Sequence, residues 1–191
     1  MLSHLRPAIV LTLFFTLLTG LMYPLAMTGT AQVLFPAAAR GSLIEREGIF
    51  IGSALIAQPF AGAAYLHPRA SARGWNAGGP GATHLGPTSA ALIAQVADSR
   101  AAFEALNGTD APIDAVTTSG SGLDPHLSPE TARAQADRIA AARAADPVAV
   151  LALIDSKVEG RLFGLYGLPR VNALETNLAL DEAFPMAPAA P

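Results

Sequence analysis

The residues best suited to chemistry in this 191-residue chain are two serines, an aspartate and a histidine in one short stretch. Ser119, Ser121, Asp124 and His126 supply the hydroxyl, carboxylate and imidazole groups that hydrolases use. A nucleophile elbow needs glycine two residues before and after its serine, whereas Ser121 has glycine directly beside it. In a run of Gly, Ser, Asp and Pro, such side chains are typical of turns and helix caps. We therefore predict a structural turn, and a hydrolase is our least favoured interpretation.

The rest of the composition offers little other chemistry. The chain has no cysteine, which excludes disulfides and thiolate catalysis, and His67, His84 and His126 are too far apart for a local metal motif. Lys157 is the only lysine and does not adjoin the glycine-rich turn of a phosphate-binding loop. A net charge of −3 gives no basic surface for nucleic acid. We predict no catalytic residue, no metal site and no covalently bound cofactor.

A long uncharged segment near the start of the chain predicts one transmembrane helix. It extends from residue 7 to residue 39 and is most apolar over residues 8–27. About 20 apolar residues in a helix cross the roughly 30 Å of hydrocarbon in a bilayer. We assign residues 1–7 to a short cytoplasmic N-terminus and residues 8–35 to the helix and its extension. Gly20, Pro24 and Gly29 would weaken a soluble helix, so we predict that they pack against a partner helix.

A cleaved leader is the main alternative for this segment. Arg6 forms a short positive start, and the small residues 37–39 could be a cleavage site before Arg40. The apolar stretch is longer than the 7–15 residues typical of a leader, which favours a retained anchor. If cleavage occurs, the chain would be a secreted or periplasmic binding protein. The positive-inside rule does not fix the orientation, because arginines lie on both sides of the span.

We predict that residues 36–184 form one domain with an α+β or α/β fold, containing a small sheet and about four helices. Residues 40–48 are interpreted as a linker, residues 49–57 as a buried strand and residues 112–118 as a second strand. Predicted helices cover residues 87–106, begin at Ser128 and at Asp146, and cover residues 172–182. Val150, Ile154 and Val158 form an apolar stripe on the helix that begins at Asp146. We predict that the tail, residues 185–191, is disordered.

Two irregular segments are candidate contact surfaces. Residues 60–87 are too rich in Gly and Pro for a helix, and a loop of this length inside a domain is commonly functional. Its aromatic and arginine side chains are of the types enriched at interface hot spots. We predict that residues in this loop, in the turn at 119–126 and in the last predicted helix make loop or partner contacts: Tyr65, His67, Arg69, Trp75, Asn76, Ser119, Ser121, Asp124, His126, Asn172 and Asn177.

Several motifs, in order along nearly the whole chain, resemble the C subunits of bacterial Kdp potassium-transporting ATPases. They include the opening LRPAIVLTLFFTLLTGLMYPLAM, IGSALIAQPF at residues 51–60, VTTSGSGLDPHLSPETA at residues 116–132 and PRVNALETNLALD at residues 169–181. Thr83 and His84 depart from the Ser-Asn of the family pattern, and Trp75 stands where tyrosine is common.

The resemblance implies a non-catalytic, membrane-anchored subunit of a potassium uptake complex. Its partners would be a potassium-selecting channel-like subunit, a P-type ATPase subunit and a small single-helix subunit. Potassium would be transported by those partners, and ATP could be bound through the complex. The family's proposed roles are to raise the ATP affinity of the ATPase subunit or to cap the outer potassium entrance. It also implies the bacterial inner membrane, a cytoplasmic N-terminus and an extracytoplasmic domain.

Overall fold

A computed structural model describes residues 4–186 and divides the chain into two compact units, Met1–Ser53 and Ala54–Pro191. We call them the N-terminal and C-terminal units. Both contain antiparallel strand pairs together with helices, so the fold is α+β rather than α/β. The predicted tail falls largely outside the described residues.

The N-terminal unit begins with a continuous apolar helix over Leu5–Leu34, 30 residues long with none of its most apolar window buried. It consists of α1 (Leu5–Leu17), a π-helical turn (Leu18–Met22) and α2 (Tyr23–Leu34). The π turn directly precedes Pro24, which lacks the N–H that would bond the carbonyl of Gly20. By length and composition this helix can cross a membrane, as the sequence predicts.

A short helix, α3 (Pro36–Ala39), leads into a β-hairpin where we expected a linker and a buried strand. β1 (Leu43–Arg46) pairs antiparallel with β2 (Ile49–Ser53). Glu47 and Gly48 both have positive φ, the backbone of a tight two-residue hairpin turn. The linker prediction is wrong, because residues 40–48 include β1. The strand predicted at residues 49–57 is present over Ile49–Ser53, but none of its residues is buried and Ile49 is 68% accessible. The hairpin sheet has two strands, so β2 has β1 as its one hydrogen-bonded neighbour among the described residues.

The C-terminal unit contains six helices and three short strands within the described residues. The central strand of its antiparallel sheet is β5, which pairs with β3 on one side and β4 on the other. The elements are α4 (Ala90–Asn107), α5 (Ile113–Val116), β3 (His126–Leu127), α6 (Pro129–Arg133), α7 (Ala136–Arg143), α8 (Pro147–Ser156), β4 (Val158–Glu159), β5 (Arg170–Asn172) and α9 (Ala173–Ala183).

Local capping signals place the starts of three helices where the sequence predicts them. The Ser128 hydroxyl accepts from Thr131 N–H, and the Asp146 carboxylate accepts from Val148 N–H. The Asn172 side-chain oxygen accepts from Glu175 N–H at 3.2 Å and caps α9. Each cap satisfies a backbone N–H that has no partner within the first turn of its helix.

Two other predictions in this unit are wrong. Residues 112–118 contain the one-turn helix α5 instead of a strand; Ile113 at its start is exposed and Val116 at its end is buried. Val158 does not extend the apolar stripe of α8, since that helix ends at Ser156 and Val158 lies in β4. The helix that begins after Ser128 is also divided at residues 134–135 into α6 and α7.

The core lies where α6 to α9 pack over the three-stranded sheet. Its largest fully buried apolar side chains come from the irregular loop, β3, α7, α8, β5 and α9: Leu66, Leu127, Ile139, Val150, Ile154, Val171 and Leu180. Leu66 belongs to the long loop, residues 60–87, so this loop is anchored in the core rather than lying on top of it.

Candidate functional site

The two segments that the sequence selects, residues 60–87 and 119–126, lie against each other. Ser119 N–H donates to Ala70 O at 3.1 Å, and Gly81 N–H donates to Ser121 O at 2.8 Å. The Ser71 hydroxyl donates to Gly122 O at 2.7 Å. We call this arrangement the loop interlock. It gives a loop with no regular secondary structure a defined conformation, because its backbone groups are paired with the turn.

Gly122 makes the close approach within the loop interlock possible. Its φ is +71°, and a Cβ atom added there would lie 2.9 Å from Gly81 O and 3.0 Å from the Ser71 hydroxyl oxygen. Only glycine combines this backbone conformation with such an approach at low cost. Gly120 is different, because a Cβ added there would have no atom within 4 Å.

An ion pair joins the two segments at one end of the interlock. Arg69 Nη1 lies 3.3 Å from Asp124 Oδ2, and Arg69 Nη2 donates to Thr118 O at 3.3 Å. The other Asp124 oxygen, Oδ1, accepts from His126 N–H at 3.0 Å and lies 3.3 Å from His126 Nδ1. Asp124 therefore fixes the turn before β3 and holds Arg69 in place, as an Asp-Pro-His turn predicts.

The serines of this turn are used by the turn itself. Ser119 is buried and its hydroxyl oxygen accepts from Asp124 N–H at 3.5 Å, while the Ser121 hydroxyl oxygen accepts from Leu123 N–H at 3.1 Å. Within residues 4–186 neither hydroxyl hydrogen-bonds to His126. The geometry thus contains no nucleophile–base pair of the kind that a hydrolase requires.

Two of the predicted contact residues are buried asparagines that bind loop backbone. Asn177 in α9 accepts from Leu66 N–H at 2.7 Å and donates to Leu66 O at 3.0 Å, as a paired strand would do. Asn172 donates to Ala54 O at 2.8 Å in addition to capping α9. Both amides therefore fasten the beginning of the C-terminal unit to its last helix.

Two arginines that the sequence analysis did not select hold the start of the long loop. The Arg143 side chain is fully buried; it donates to Ala64 O at 2.8 Å, lies 2.9 Å from Asp181 Oδ1 and stacks 5.0 Å from the Tyr65 ring centroid. Arg138 donates to Tyr65 O at 3.0 Å. Arginine suits this role because it presents five donors in a fixed fork to several carbonyl oxygens.

Tyr65 and His67, at the start of the long loop, have shifted pKa values with clear causes. Burial, followed by the Asp181 carboxylate, raises the pKa of the Tyr65 hydroxyl. Burial also lowers the pKa of His67, against its hydrogen bond to Gly62 O, and the nearby Arg138 charge lowers it further. Both shifts favour neutral side chains at neutral pH.

The Asp114 side chain connects α5 to the start of α6 through hydrogen bonds that the sequence did not reveal. Its carboxylate accepts from Ser128 N–H at 2.8 Å, from the Ser128 hydroxyl at 2.7 Å and from the Thr131 hydroxyl. Burial alone would raise the pKa of Asp114, but these hydrogen bonds lower it below its ordinary value. The sequence signal was hidden because Asp114 binds a cap 14 residues away.

A cleft of about 370 Å³ opens beside the interlock and is lined by Arg69, Asp114, Asp124, His126 and residues 168–170 among others. Its two carboxylates are already engaged, Asp114 by hydroxyl and amide donors and Asp124 by Arg69 and His126. Among residues 4–186 no group of three or more His, Asp or Glu side chains converges as metal ligands would. The cleft is therefore a recess in a surface rather than an assembled reaction centre.

The remaining predicted contact residues lie at the surface of the interlock. Trp75 is half-buried, with φ of +56° and its N–H donating to the Ser71 hydroxyl at 3.0 Å. Asn76 is exposed, and its side-chain oxygen accepts from Gly78 N–H at 2.9 Å. Asn76 and Ser121 are thus the exposed members of the predicted set.

An apolar helix long enough for a bilayer and a domain stiffened by loop contacts define a class: a membrane-associated accessory protein. Residues 5–182 match the family described as K+-transporting ATPase, c chain. The chain belongs to this family and is a non-catalytic subunit of such an ATPase, which confirms the resemblance seen in its motifs.

Similar proteins cover nearly the whole chain. A potassium-transporting ATPase KdpC subunit of Cereibacter sphaeroides is 61% identical over 183 residues, covering 96% of this chain and 99% of the relative. Subunits with the same description from Rhodospirillum rubrum and from a Caulobacter species are 56% and 51% identical, covering 98% and 97% of this chain and 100% and 96% of the relatives. The family match therefore includes the apolar helix, the hairpin and the interlock.

Proposed function

We propose that this chain anchors in the bacterial inner membrane through Leu5–Leu34 and supports assembly and activity of a potassium uptake complex. The observation that carries the proposal is the family match over residues 5–182, which includes the apolar helix. The partners would be a potassium-selecting channel-like subunit, a P-type ATPase subunit and a small single-helix subunit. The N-terminus would be cytoplasmic and the C-terminal unit extracytoplasmic.

Orientation limits how the chain can act on ATP. An extracytoplasmic unit has no direct access to cytoplasmic ATP, so a higher ATP affinity of the ATPase subunit would be a coupling free energy transmitted through membrane helices. The alternative is that the interlock covers the outer potassium entrance. The exposure of Asn76 and Ser121 and the partial exposure of Trp75 support this second role, because a cap needs reachable polar and aromatic groups.

Steady-state kinetics of the purified complex, with and without this chain, separate the two roles. If the chain raises ATP affinity, removing it raises the apparent KM for ATP and leaves the potassium dependence unchanged. If it caps the entrance, removal changes the potassium dependence and leaves the KM for ATP unchanged. If both dependences are unchanged, both roles are wrong.

A further inference from the structure

A strongly apolar loop joins β4 to β5 and has no role in the features described above. A seven-residue stretch of this loop contains five large apolar side chains, and each of them is at least 64% exposed. We call residues 162–168 the apolar tip; its exposed apolar side chains are Leu162, Phe163, Leu165, Tyr166 and Leu168. Single exposed apolar residues are ordinary, but a contiguous group of this kind marks an interaction site.

The backbone of the apolar tip has a fixed shape. Leu162 N–H donates to Tyr166 O at 2.9 Å, and Tyr166 N–H donates back to Leu162 O at 3.1 Å. Inside this closed loop, Phe163 and Gly164 both have positive φ. The apolar side chains are thus held outward before any partner arrives, which lowers the entropic cost of binding.

The exposed area is large enough for a specific contact. Phe163 and Tyr166 can bury about 150–250 Å² each, so together with three exposed leucines the tip offers on the order of 600 Å². One partner in a standard protein interface contributes about 800 Å². The apolar tip can therefore supply most of one side of an interface, and Leu168 extends it to the cleft that Arg69 and Asp124 line.

The charges at the base of the tip are basic. Lys157 and Arg161 are exposed, and Arg170 pairs with Glu159 at 2.8 Å. Three cations less one carboxylate leave +2 at the base, within a chain whose net charge is −3. Residues 162–168 themselves carry no charge. The complementary surface is an apolar groove with an acidic rim.

We propose that the apolar tip docks into such a groove on another polypeptide of the potassium-transporting complex, and this inference rests on the proposed function. The fixed backbone favours a protein over lipid, because a fluid bilayer has no shape to complement. An uncharged tip with Phe163 and Tyr166 at its centre, surrounded by charges at its base, also has the arrangement of an interface core and rim.

The absence of cysteine allows the proposal to be tested at a single position. Phe163→Cys gives the full-length chain one thiol in the tip, and Ala97→Cys gives a matched thiol on the exposed side of α4. Both variants are treated with a maleimide reagent, first as the chain alone in nanodiscs of phosphatidylethanolamine and phosphatidylglycerol, and then in the purified complex. Trp75 fluorescence checks that each variant keeps its fold.

The proposal predicts rapid labelling at both positions in the chain alone, and loss of labelling only at position 163 in the complex. Protection at 163 in nanodiscs without the other subunits would show that lipid covers the tip and overturn the proposal. Equal labelling in both preparations would show that the tip is free and also overturn it. If the Ala97→Cys chain forms no complex, the proposed function itself fails, and the inference fails with it.

A second variant guards against local disturbance by the thiol. Leu165→Ser makes the tip less apolar at a position 75% exposed, so the unfolding midpoint should not change. The proposal predicts weaker co-purification with the other subunits at an unchanged midpoint. Normal co-purification of Leu165→Ser together with free labelling at position 163 would exclude the tip as a docking surface.

Discussion

At the scale of single residues, arginine and asparagine side chains form hydrogen bonds to backbone groups of the long loop, which has no regular secondary structure. Arg143 and Arg138 bind carbonyl oxygens of residues 63–65, and Asn177 pairs with both backbone groups of Leu66. These contacts join positions more than 70 residues apart, such as Arg143 and Ala64. Sequence reasoning found the asparagine from its motif but missed both arginines, because nothing near them in sequence reveals the carbonyl groups they bind.

Asp114 gives the fold a predictable response to acid. Its pKa is lower in the folded chain than its ordinary value of 3.8, so its stabilisation is fully present above pH 3.8 and is lost as the pH falls through the folded-state value. Asp114→Asn keeps the shape but removes the charge that receives three donors. Hydrogen bonds to charged groups contribute about 2 kcal/mol, so the variant should lose stability of that order at pH 7.

Thermal unfolding of the full-length chain in detergent micelles, followed by Trp75 fluorescence, measures this effect. The gap in unfolding midpoint between Asp114→Asn and the unsubstituted chain should stay constant from pH 7 to about pH 4 and narrow as the pH falls further below 3.8. Asp110→Asn changes the formal charge equally at an exposed position and serves as the control. A gap that does not narrow below pH 3.8 would show that the Asp114 charge contributes nothing.

At the scale of elements, the sequence predicted those helix starts that depend on capping residues close by in the chain. Ser128, Asp146 and Asn172 marked helix starts because a cap acts within three residues. The hairpin was missed because its turn, Glu47 and Gly48, lacks the usual Asn-Gly signature, and its strands lack a buried face. The proximity of residues 60–87 to 119–126 could not be predicted, since no pattern within either segment encodes the pairing.

The loop interlock should depend on Gly122. Gly122→Ala forces a Cβ against Gly81 O in a left-handed backbone, which costs about 1–3 kcal/mol. The strain should separate the loops, lower the unfolding midpoint and shift Trp75 emission to the red, because Ser71 contacts both Gly122 and Trp75. Gly120→Ala is the matched control with free space around it. Equal midpoints for the two variants would refute the interlock as a stabilising feature.

The apolar helix offers a separate test of partner packing. A Cβ added at Gly20 or Gly29 meets no atom within 4 Å, so larger side chains cause no clash inside the chain. Gly20→Leu and Gly29→Leu should still weaken co-purification with other subunits if the glycines face a partner helix. Val10→Leu, an apolar change in the same helix, controls for hydrophobicity. Unchanged assembly of both glycine variants would remove these positions from any helix interface.

At the scale of the whole molecule, the chain combines an apolar anchor with a domain that carries no assembled reaction centre among its described residues. Its side chains hold two irregular loops together and leave an apolar tip exposed, and the family match identifies it as a subunit of a potassium-transporting ATPase. The fold class and the family could be predicted from the sequence. The apolar tip could be recognised only from the exposed fractions of its side chains in the structure. Leucines and aromatics in sequence give no indication of whether they lie in a core or outside it.

Affinity purification of the tagged full-length chain from detergent-solubilised bacterial membranes tests the central claim most directly. We predict that an intact chain, still beginning before residue 40, brings with it a channel-like subunit, a P-type ATPase subunit and ATP hydrolysis stimulated by potassium. A chain that purifies alone without potassium-stimulated hydrolysis, or a mature protein that begins at Arg40 and is absent from membranes, would contradict the account.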